Sequence, residues 1–363
     1  MFRRKSANDL KQLQPRRICL IKPSALGDVV QTLPLLPVLN ECYPDATITW
    51  VISKSFAELL EGHPLIDELL IFDRRGTWGS WWQLLRQLRA KKFDLVFDLQ
   101  GLLRTGIMTW ATKAPVRVGL ETAREGSHWS TNCTIPGTSR TVSAHARNWR
   151  VAEVLGFGLF PREVALGWEP SVFEWYRGQF SGWGKRPVLA ISPGAQWVTK
   201  RWPIEKYAAV AERAISELGM SICLVGSPAE IELAASLEEA IRTSIPDAPV
   251  RNLAGKTSLK QLAAVLGLAD MMLSNDSGPL HLAAELGTPS VGVFLCTDPV
   301  RSGPPGEQHV MVSTEVECRA SYKKQCPLVG DQHMCCTTEL SIERVWSALK
   351  ECHHRNQRRS RAA

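Results

Sequence analysis

At 363 residues the chain is longer than one ordinary hydrophobic core supports, and 44% apolar with 22% charged residues is an ordinary globular balance, so two domains are expected. The formal charge of +7 is concentrated at the ends: residues 1–20 carry +5 and residues 350–363 carry +4, which leaves −2 on the body. That excludes the global basic field of a nucleic-acid-binding protein, and the ends read as solvated or membrane-surface arms.

No run of about 18 apolar residues occurs, and the start, MFRRKSANDLKQLQPRR, lacks the apolar stretch of a secretory signal. A cytoplasmic protein is expected.

After a basic arm (1–15), apolar runs alternate with helix-length segments: ICLIK (18–22), TITWVIS (47–53), DELLIF (67–72), DLVFDLQ (94–100) and VRVGL (116–120). Strands apolar throughout suit a parallel sheet covered on both faces, with the helices as crossovers. Residues 16–165 are therefore expected to form a doubly wound α/β domain. A helix is expected near 143–156, and a Pro-, Gly- and Trp-rich linker over 166–186.

The alternation resumes with VLAISPG (188–194), SICLVG (221–226), VRNLAG (250–255), MMLSND (271–276) and PSVGVF (289–294). A second domain of the same kind is expected over 187–350, with a basic tail over 351–363. Open α/β sheets bind ligands at the carboxyl ends of their strands, which predicts a site in a cleft shared by the two halves. Neither G-x-G-x-x-G nor G-x-x-x-x-G-K-[ST] is present, which argues against a dehydrogenase or an ordinary NTPase.

Four motifs follow strands. Lys22-Pro-Ser-Ala-Leu-Gly-Asp28 leads into a helical pattern, where Asp28 is either an N-cap or a general base able to take a proton from a hydroxyl, with Lys22 to orient it or meet a phosphate. The loop Ser192-Pro-Gly-Ala-Gln196-Trp-Val-Thr199-Lys200-Arg-Trp-Pro203 offers backbone donors, a helix start and a lysine, the components of a diphosphate site, or is a plain connection. Glu230, in Gly-Ser-Pro-Ala-Glu, either accepts both hydroxyls of a ribose or is a first-turn glutamate. In Ser274-Asn-Asp276-Ser277-Gly278-Pro-Leu-His281, Ser277 and Gly278 can present N–H groups to phosphate, while Asp276 and His281 are either site residues or a cap and a helix-face histidine.

The ten cysteines carry little signal. Cys19 and Cys223 sit in apolar strands, and the spacing of Cys318, Cys326, Cys335 and Cys336 is not the paired C-x-x-C of a zinc site, so no metal is expected. Trp78, Trp81 and Trp82, flanked by Arg74, Arg75, Arg86, Arg89, Lys91 and Lys92, mark either an amphipathic helix or a surface for an anionic lipid.

Taken together, K-P-S-A-L-G-D, P-G-A-x5-K-R-W-P, G-S-P-A-E and N-D-S-G-P-L-H-L-A, in this order over about residues 16–350, resemble glycosyltransferase family 9, the ADP-heptose:lipopolysaccharide heptosyltransferases; DLVFDLQGLLRTG resembles the family as well. The resemblance implies a GT-B architecture of two Rossmann-like domains and an inverting, metal-independent transfer needing no cofactor. It implies Asp28 as base, Lys200 on the diphosphate, Glu230 on the ribose and Thr257 near the adenine. Gln196, Thr199, Asp276, Ser277, Gly278 and His281 would complete the donor site.

On the acceptor side it implies Lys22, Gln100, Arg104 and Arg124, the guanidinium groups suiting a carboxylated sugar. The partners implied are ADP-heptose and a glycolipid or oligosaccharide acceptor, with a monomer in peripheral contact with the inner membrane and no nucleic acid. Ser277 and Pro279 stand in a loop usually written D-T-G, and Leu295-Cys296 replace a common Gly-Pro. Those departures leave the donor sugar open and keep a non-catalytic nucleotide-binding relative in view; the other rivals are an epimerase or a non-heptose transferase on the same architecture.

Overall fold

The computed structural model describes residues 6–162 and 164–362, with side chains described through residue 358. The chain divides into two compact units, the first ending at Trp168 and the second beginning at Glu169.

The first unit is a six-stranded sheet of β1 (Arg17–Ile21), β2 (Thr47–Ser53), β3 (Glu68–Phe72), β4 (Leu95–Asp98), β5 (Val116–Leu120) and β6 (Cys133–Ile135). Every pairing is parallel, in the order β3-β2-β1-β4-β5-β6, with Ile18 opposite Ile48 on one side and Leu95 on the other. Its helices are α1 (Leu26–Val30), α2 (Leu35–Cys42), α3 (Ala57–Leu60), α4 (Trp78–Ala90), α5 (Leu103–Thr112) and α6 (Ala144–Val154). Cys19, Ile21, Val51, Leu88, Val96 and Met108 form part of its core, all buried.

The second unit repeats the plan with β7 (Val188–Ser192), β8 (Ser221–Leu224), β9 (Val250–Asn252), β10 (Met271–Asn275), β11 (Ser290–Phe294) and β12 (Val310–Ser313). The order β12-β11-β10-β7-β8-β9 is again wholly parallel. Its helices are α7 (Pro170–Phe180), α8 (Ile204–Leu218), α9 (Ile231–Ser244), α10 (Leu259–Leu268), α11 (Gly278–Glu285), α12 (Pro299–Ser302), α13 (Cys335–Glu339) and α14 (Ile342–Ala362). In α8 the buried residues Tyr207, Ala208, Val210, Ala211 and Ala214 recur at helical spacing, and Gly219 ends the helix at φ +64°, where a Cβ would be strained.

In each unit the chain starts in the middle of the sheet, builds outward to one side, and returns to build the other. The reversal falls between β1 and β4, and between β7 and β10. This is the doubly wound order expected, and it opens a crevice at the carboxyl ends of the two central strands.

The structure departs from the sequence reading in four places. The helix expected after β1 is split, because Pro34 has no N–H and its ring clashes with the carbonyl four residues back; α1 stops at Val30 and Pro34 caps α2. Strands β6 and β12 were not foreseen; each is a short edge strand of three or four residues.

The stretch expected as linker contains α7, opened by Pro170 and belonging to the second unit, where Glu169 Oε1 accepts from Lys260 Nζ at 2.5 Å. Nor are the basic ends simply solvated. Residues Ala7–Gln12 form a 3-10 turn with Ala7 and Leu10 buried, Tyr43 Oη donating to the Leu10 carbonyl at 2.8 Å, and the expected tail continues α14. The part of the arm over residues 1–5 lies outside the described residues.

Leu10 is only 1% exposed. Leu10→Ala should therefore lower unfolding free energy by about 2–5 kcal/mol in urea titrations, whereas a solvated arm predicts a change within about 0.5 kcal/mol.

Candidate functional site

In the first unit, Lys22 follows β1 and is 6% exposed. Its Nζ donates to the Leu99 carbonyl at 2.9 Å, beyond the end of β4, and lies 3.8 Å from Asp28 Oδ2. A buried ammonium so placed bridges the crevice between β1 and β4, and Trp50 Nε1 fixes the Lys22 carbonyl at 3.2 Å. Asp28 is the third residue of α1 rather than its N-cap. Its Oδ2 accepts weakly from Ala25 N at 3.4 Å, and its side chain is 40% exposed, so a carboxylate is held by one cation with an oxygen face left to solvent.

The turn after β4 is organised by Asp98, whose Oδ1 accepts from Gln100 N at 3.0 Å and Gly101 N at 2.9 Å. Burial pushes the Asp98 carboxyl up, against the opposing pull of these N–H groups, Thr105 and Lys22. Gln100 Oε1 is buried without a hydrogen-bond partner, and Arg124 N donates to the Gly101 carbonyl at 2.9 Å while its side chain is exposed. Lys22, Asp28, Gln100 and the Arg124 backbone thus share the carboxyl edge of the sheet.

Arg104 turns elsewhere. Its guanidinium lies 5.7 Å from the Phe72 ring centre, in a shallow depression of 340 Å³ lined also by Arg74, Trp78 and Trp81.

In the second unit the loop after β7 is closed on itself by hydrogen bonds. Asn275, at the end of β10, donates through Nδ2 to the Pro193 carbonyl at 2.7 Å and accepts from Trp202 N at 3.0 Å. Arg201 Nε donates to the Ala195 carbonyl at 2.8 Å. Trp202 is buried, packed edge-on against Tyr207 at 5.2 Å, with Nε1 on the Leu340 carbonyl at 3.1 Å.

This frame aims Lys200 at Asp276: Nζ donates to Oδ2 at 2.7 Å and to the Asp276 carbonyl at 3.1 Å. The other carboxylate oxygen meets His281 Nε2 at 3.4 Å. Burial alone would push the Asp276 carboxyl up, but the His281 hydrogen bond and the Lys200 charge outweigh it and hold it far below the usual range. A carboxylate repels phosphate, so Asp276 serves to hold Lys200 and His281 in place, and Lys200 and the α11 N–H groups are what an anion would meet.

Ser277 occupies the N-cap position of α11 without a side-chain capping bond, its Oγ lying instead 3.0 Å from Ser274 Oγ; Pro279 removes one first-turn donor, leaving Gly278 and Leu280. Glu230 Oε2 accepts from Ser227 N at 2.7 Å and Ser227 Oγ at 2.8 Å, so one oxygen does make the first-turn cap. The other lies across Gly194, where a Cβ would sit 2.0 Å from Oε1, so only glycine lets the carboxylate reach the β7 loop.

Thr257 is half-buried in the turn between β9 and α10. Gln196 is exposed beside Trp197. Thr199 is buried and its hydroxyl donates to the Lys323 carbonyl at 2.7 Å, so it anchors the segment after β12 instead of facing solvent. That segment also brings Lys324 to 5.7 Å from the Trp197 ring, which Lys200 approaches to 4.9 Å.

Sequence reasoning passed over Asp98, Asn275 and Lys324. The first two end strands and carried a weak signal in that position, whereas Lys324 carried none.

Among the described residues no group of three or more His, Cys, Asp or Glu side chains is arranged to hold a metal ion. Burial pushes the Cys318 thiol up and that of Cys336 to about 12.

The depressed Asp276 carboxyl contributes stability above its unfolded pKa of about 3.9, and that contribution is lost as pH falls below it toward the folded value. Asp276→Asn should cost about 2 kcal/mol at pH 7, and the gap from wild type should narrow as pH falls below about 4 in parallel thermal melts. A gap that is constant with pH contradicts the charge assignment.

Comparison with known proteins follows the same lines. The profile of glycosyltransferase family 9 (heptosyltransferase) matches residues 81–330. The lipopolysaccharide core heptosyltransferase OpsX of Haemophilus influenzae is 32% identical over 80% of this chain and 82% of its own length, and lipopolysaccharide heptosyltransferase 1 of Pseudomonas aeruginosa is 30% identical over 92% and 97%. Among solved structures, a family 9 glycosyl transferase from Veillonella parvula superposes with a TM-score of 0.78 at 24% identity, covering 94% of this chain and 98% of that one. The Escherichia coli heptosyltransferase WaaC with ADP gives 0.69 at 23%, covering 93% and 99%. These likenesses show the GT-B fold, and with the profile and the curated relatives they establish that the chain is a glycosyltransferase belonging to family 9, the heptosyltransferases.

Proposed function

We propose that this enzyme transfers a heptose from ADP-heptose to the lipopolysaccharide core by a single inverting displacement that uses fixed cations and dipoles in place of a metal. The observation that carries this reading is the Lys200 ammonium, fixed 2.7 Å from a buried carboxylate beside the N-terminus of α11. A cation whose position is enforced, next to uncommitted backbone donors at a helix start, stabilises a departing diphosphate without reorganising. The names of the relatives and the ADP seen in WaaC support the choice of nucleotide and sugar.

In this reading Asp28 accepts the proton of the acceptor hydroxyl as its oxygen attacks C1, and Lys22, 3.8 Å away, orients the carboxylate. Glu230 and Thr257 hold the nucleoside, while Gln196 and His281 complete the donor pocket. Gln100 and Arg124 hold the acceptor, the unpartnered Gln100 Oε1 accepting from a sugar hydroxyl, while Arg104, turned to Phe72, does not join them. No helix among the described residues is long and apolar enough to cross a membrane; we place the enzyme as a monomer in the cytoplasm, acting on a lipid-linked acceptor at the inner membrane.

Asp28→Asn keeps an acceptor for Ala25 N and removes the base, so kcat should fall about 10²- to 10⁴-fold with a stability change under about 1 kcal/mol. Unaltered turnover sinks the assignment of Asp28. For Lys200→Ala the Kd of ADP should rise roughly tenfold or more while that of adenosine stays within about twofold, by calorimetry. Donor incubated alone should persist; its conversion without acceptor would identify an epimerase, and binding of ADP with no turnover of any sugar donor would identify a non-catalytic relative.

A further inference from the structure

Helix α4 packs through Leu84, Leu85 and Leu88, all buried, and through Trp81, whose ring meets Phe72 at 5.9 Å. Its other tryptophans do not join that core: Trp78 is 80% exposed and Trp82 58% exposed. Trp78, Trp82, Arg86 and Arg89 are spaced by four, four and three residues, which at 100° per residue sets them in one stripe beside the buried face.

Arg86 and Arg89 are exposed, and α4 contains no acidic residue. Arg74 and Arg75 precede the helix and Lys92 follows it, all exposed, while Lys91 is paired with Glu68. The neighbouring acid, Asp73, caps Arg75 N at 2.9 Å. An indole left in water next to unpaired guanidinium groups gains nothing in an aqueous setting.

We infer that this stripe of α4 is a docking surface for the headgroup region of an anionic lipid bilayer, the tryptophans entering the interface and the arginines meeting lipid phosphates. Charge complementarity selects this occupant. The stripe is aromatic and cationic, the composition that partitions to a bilayer interface, and it lacks the acids needed to pair with a second copy of itself. The inference rests on the proposed lipid-linked acceptor. Docking at α4 would put the carboxyl end of β3 and the depression containing Arg104, which lie next to the start of α4, close to the bilayer surface.

Vesicle co-sedimentation of the full chain tests it, with vesicles of phosphatidylcholine alone and of phosphatidylcholine with phosphatidylglycerol. Wild type should bind the anionic vesicles with a blue shift in tryptophan emission and be released by high salt. Arg86→Gln with Arg89→Gln should weaken anionic-vesicle binding about tenfold or more, and Trp82→Ser should reduce both binding and the shift. Each variant should keep the wild-type melting temperature and its turnover on a delipidated acceptor, and lose turnover on acceptor embedded in vesicles.

Failure of wild type to bind, or binding that is indifferent to all three substitutions, overturns the surface. If vesicle binding behaves as stated while no heptosyl transfer is found, the surface stands and the functional reading falls.

Discussion

A carboxylate with 5% of its side chain exposed can stay charged only if its surroundings offset the lost hydration, and Asp276 meets that condition through Lys200 on one oxygen and His281 on the other. The end of β10 in the second unit is arranged around this requirement. Asn275, one residue earlier, holds the β7 loop that delivers Lys200, and Ser277, one residue later, begins the helix that delivers His281. Three consecutive residues at the end of β10 thus fix a cation, a helix N-terminus and the loop between them.

The first unit solves a similar problem with fewer parts. A lysine from the chain after the first central strand again crosses the crevice to the end of the partner strand, Lys22 reaching Leu99 as Lys200 reaches Asp276. The chemistry differs in what the lysine faces. Lys200 is held on a buried carboxylate, whereas Lys22 bonds a neutral carbonyl and has charge left for the half-exposed Asp28 at 3.8 Å. One sheet order therefore carries an edge with a lysine fixed on a buried carboxylate and an edge with a half-exposed carboxylate, and the difference lies in a few residues of the loops.

Much of this was legible in the chain. Ten of the twelve strands among the described residues follow from apolar runs such as VLAIS and MMLSN, because a strand buried on both faces must be apolar throughout, and that local demand is written in consecutive residues. The positions of Lys22, Asp28, Lys200 and Ser277-Gly278 after strand ends follow from the same pattern. The short edge strands β6 and β12 did not, since three or four residues with one covered face leave no distinctive run, and α7 was hidden by the Pro, Gly and Trp around it.

The sequence by itself determined the alternation of strands and helices, the two doubly wound units and which polar loops follow the central strands, because backbone hydrogen bonding and burial act through neighbours along the chain. Only the tertiary structure decided what each polar group faces: that Thr199 turns inward to Lys323, that Asp28 stands in the first turn of α1 and not at its N-cap, that Glu230 rests on Gly194, and that two tryptophans of α4 remain outside the core. Those outcomes depend on partners tens of residues away, and the free energy of a side-chain hydrogen bond or ion pair is set by the distance and burial that folding imposes, which no spacing along the chain encodes.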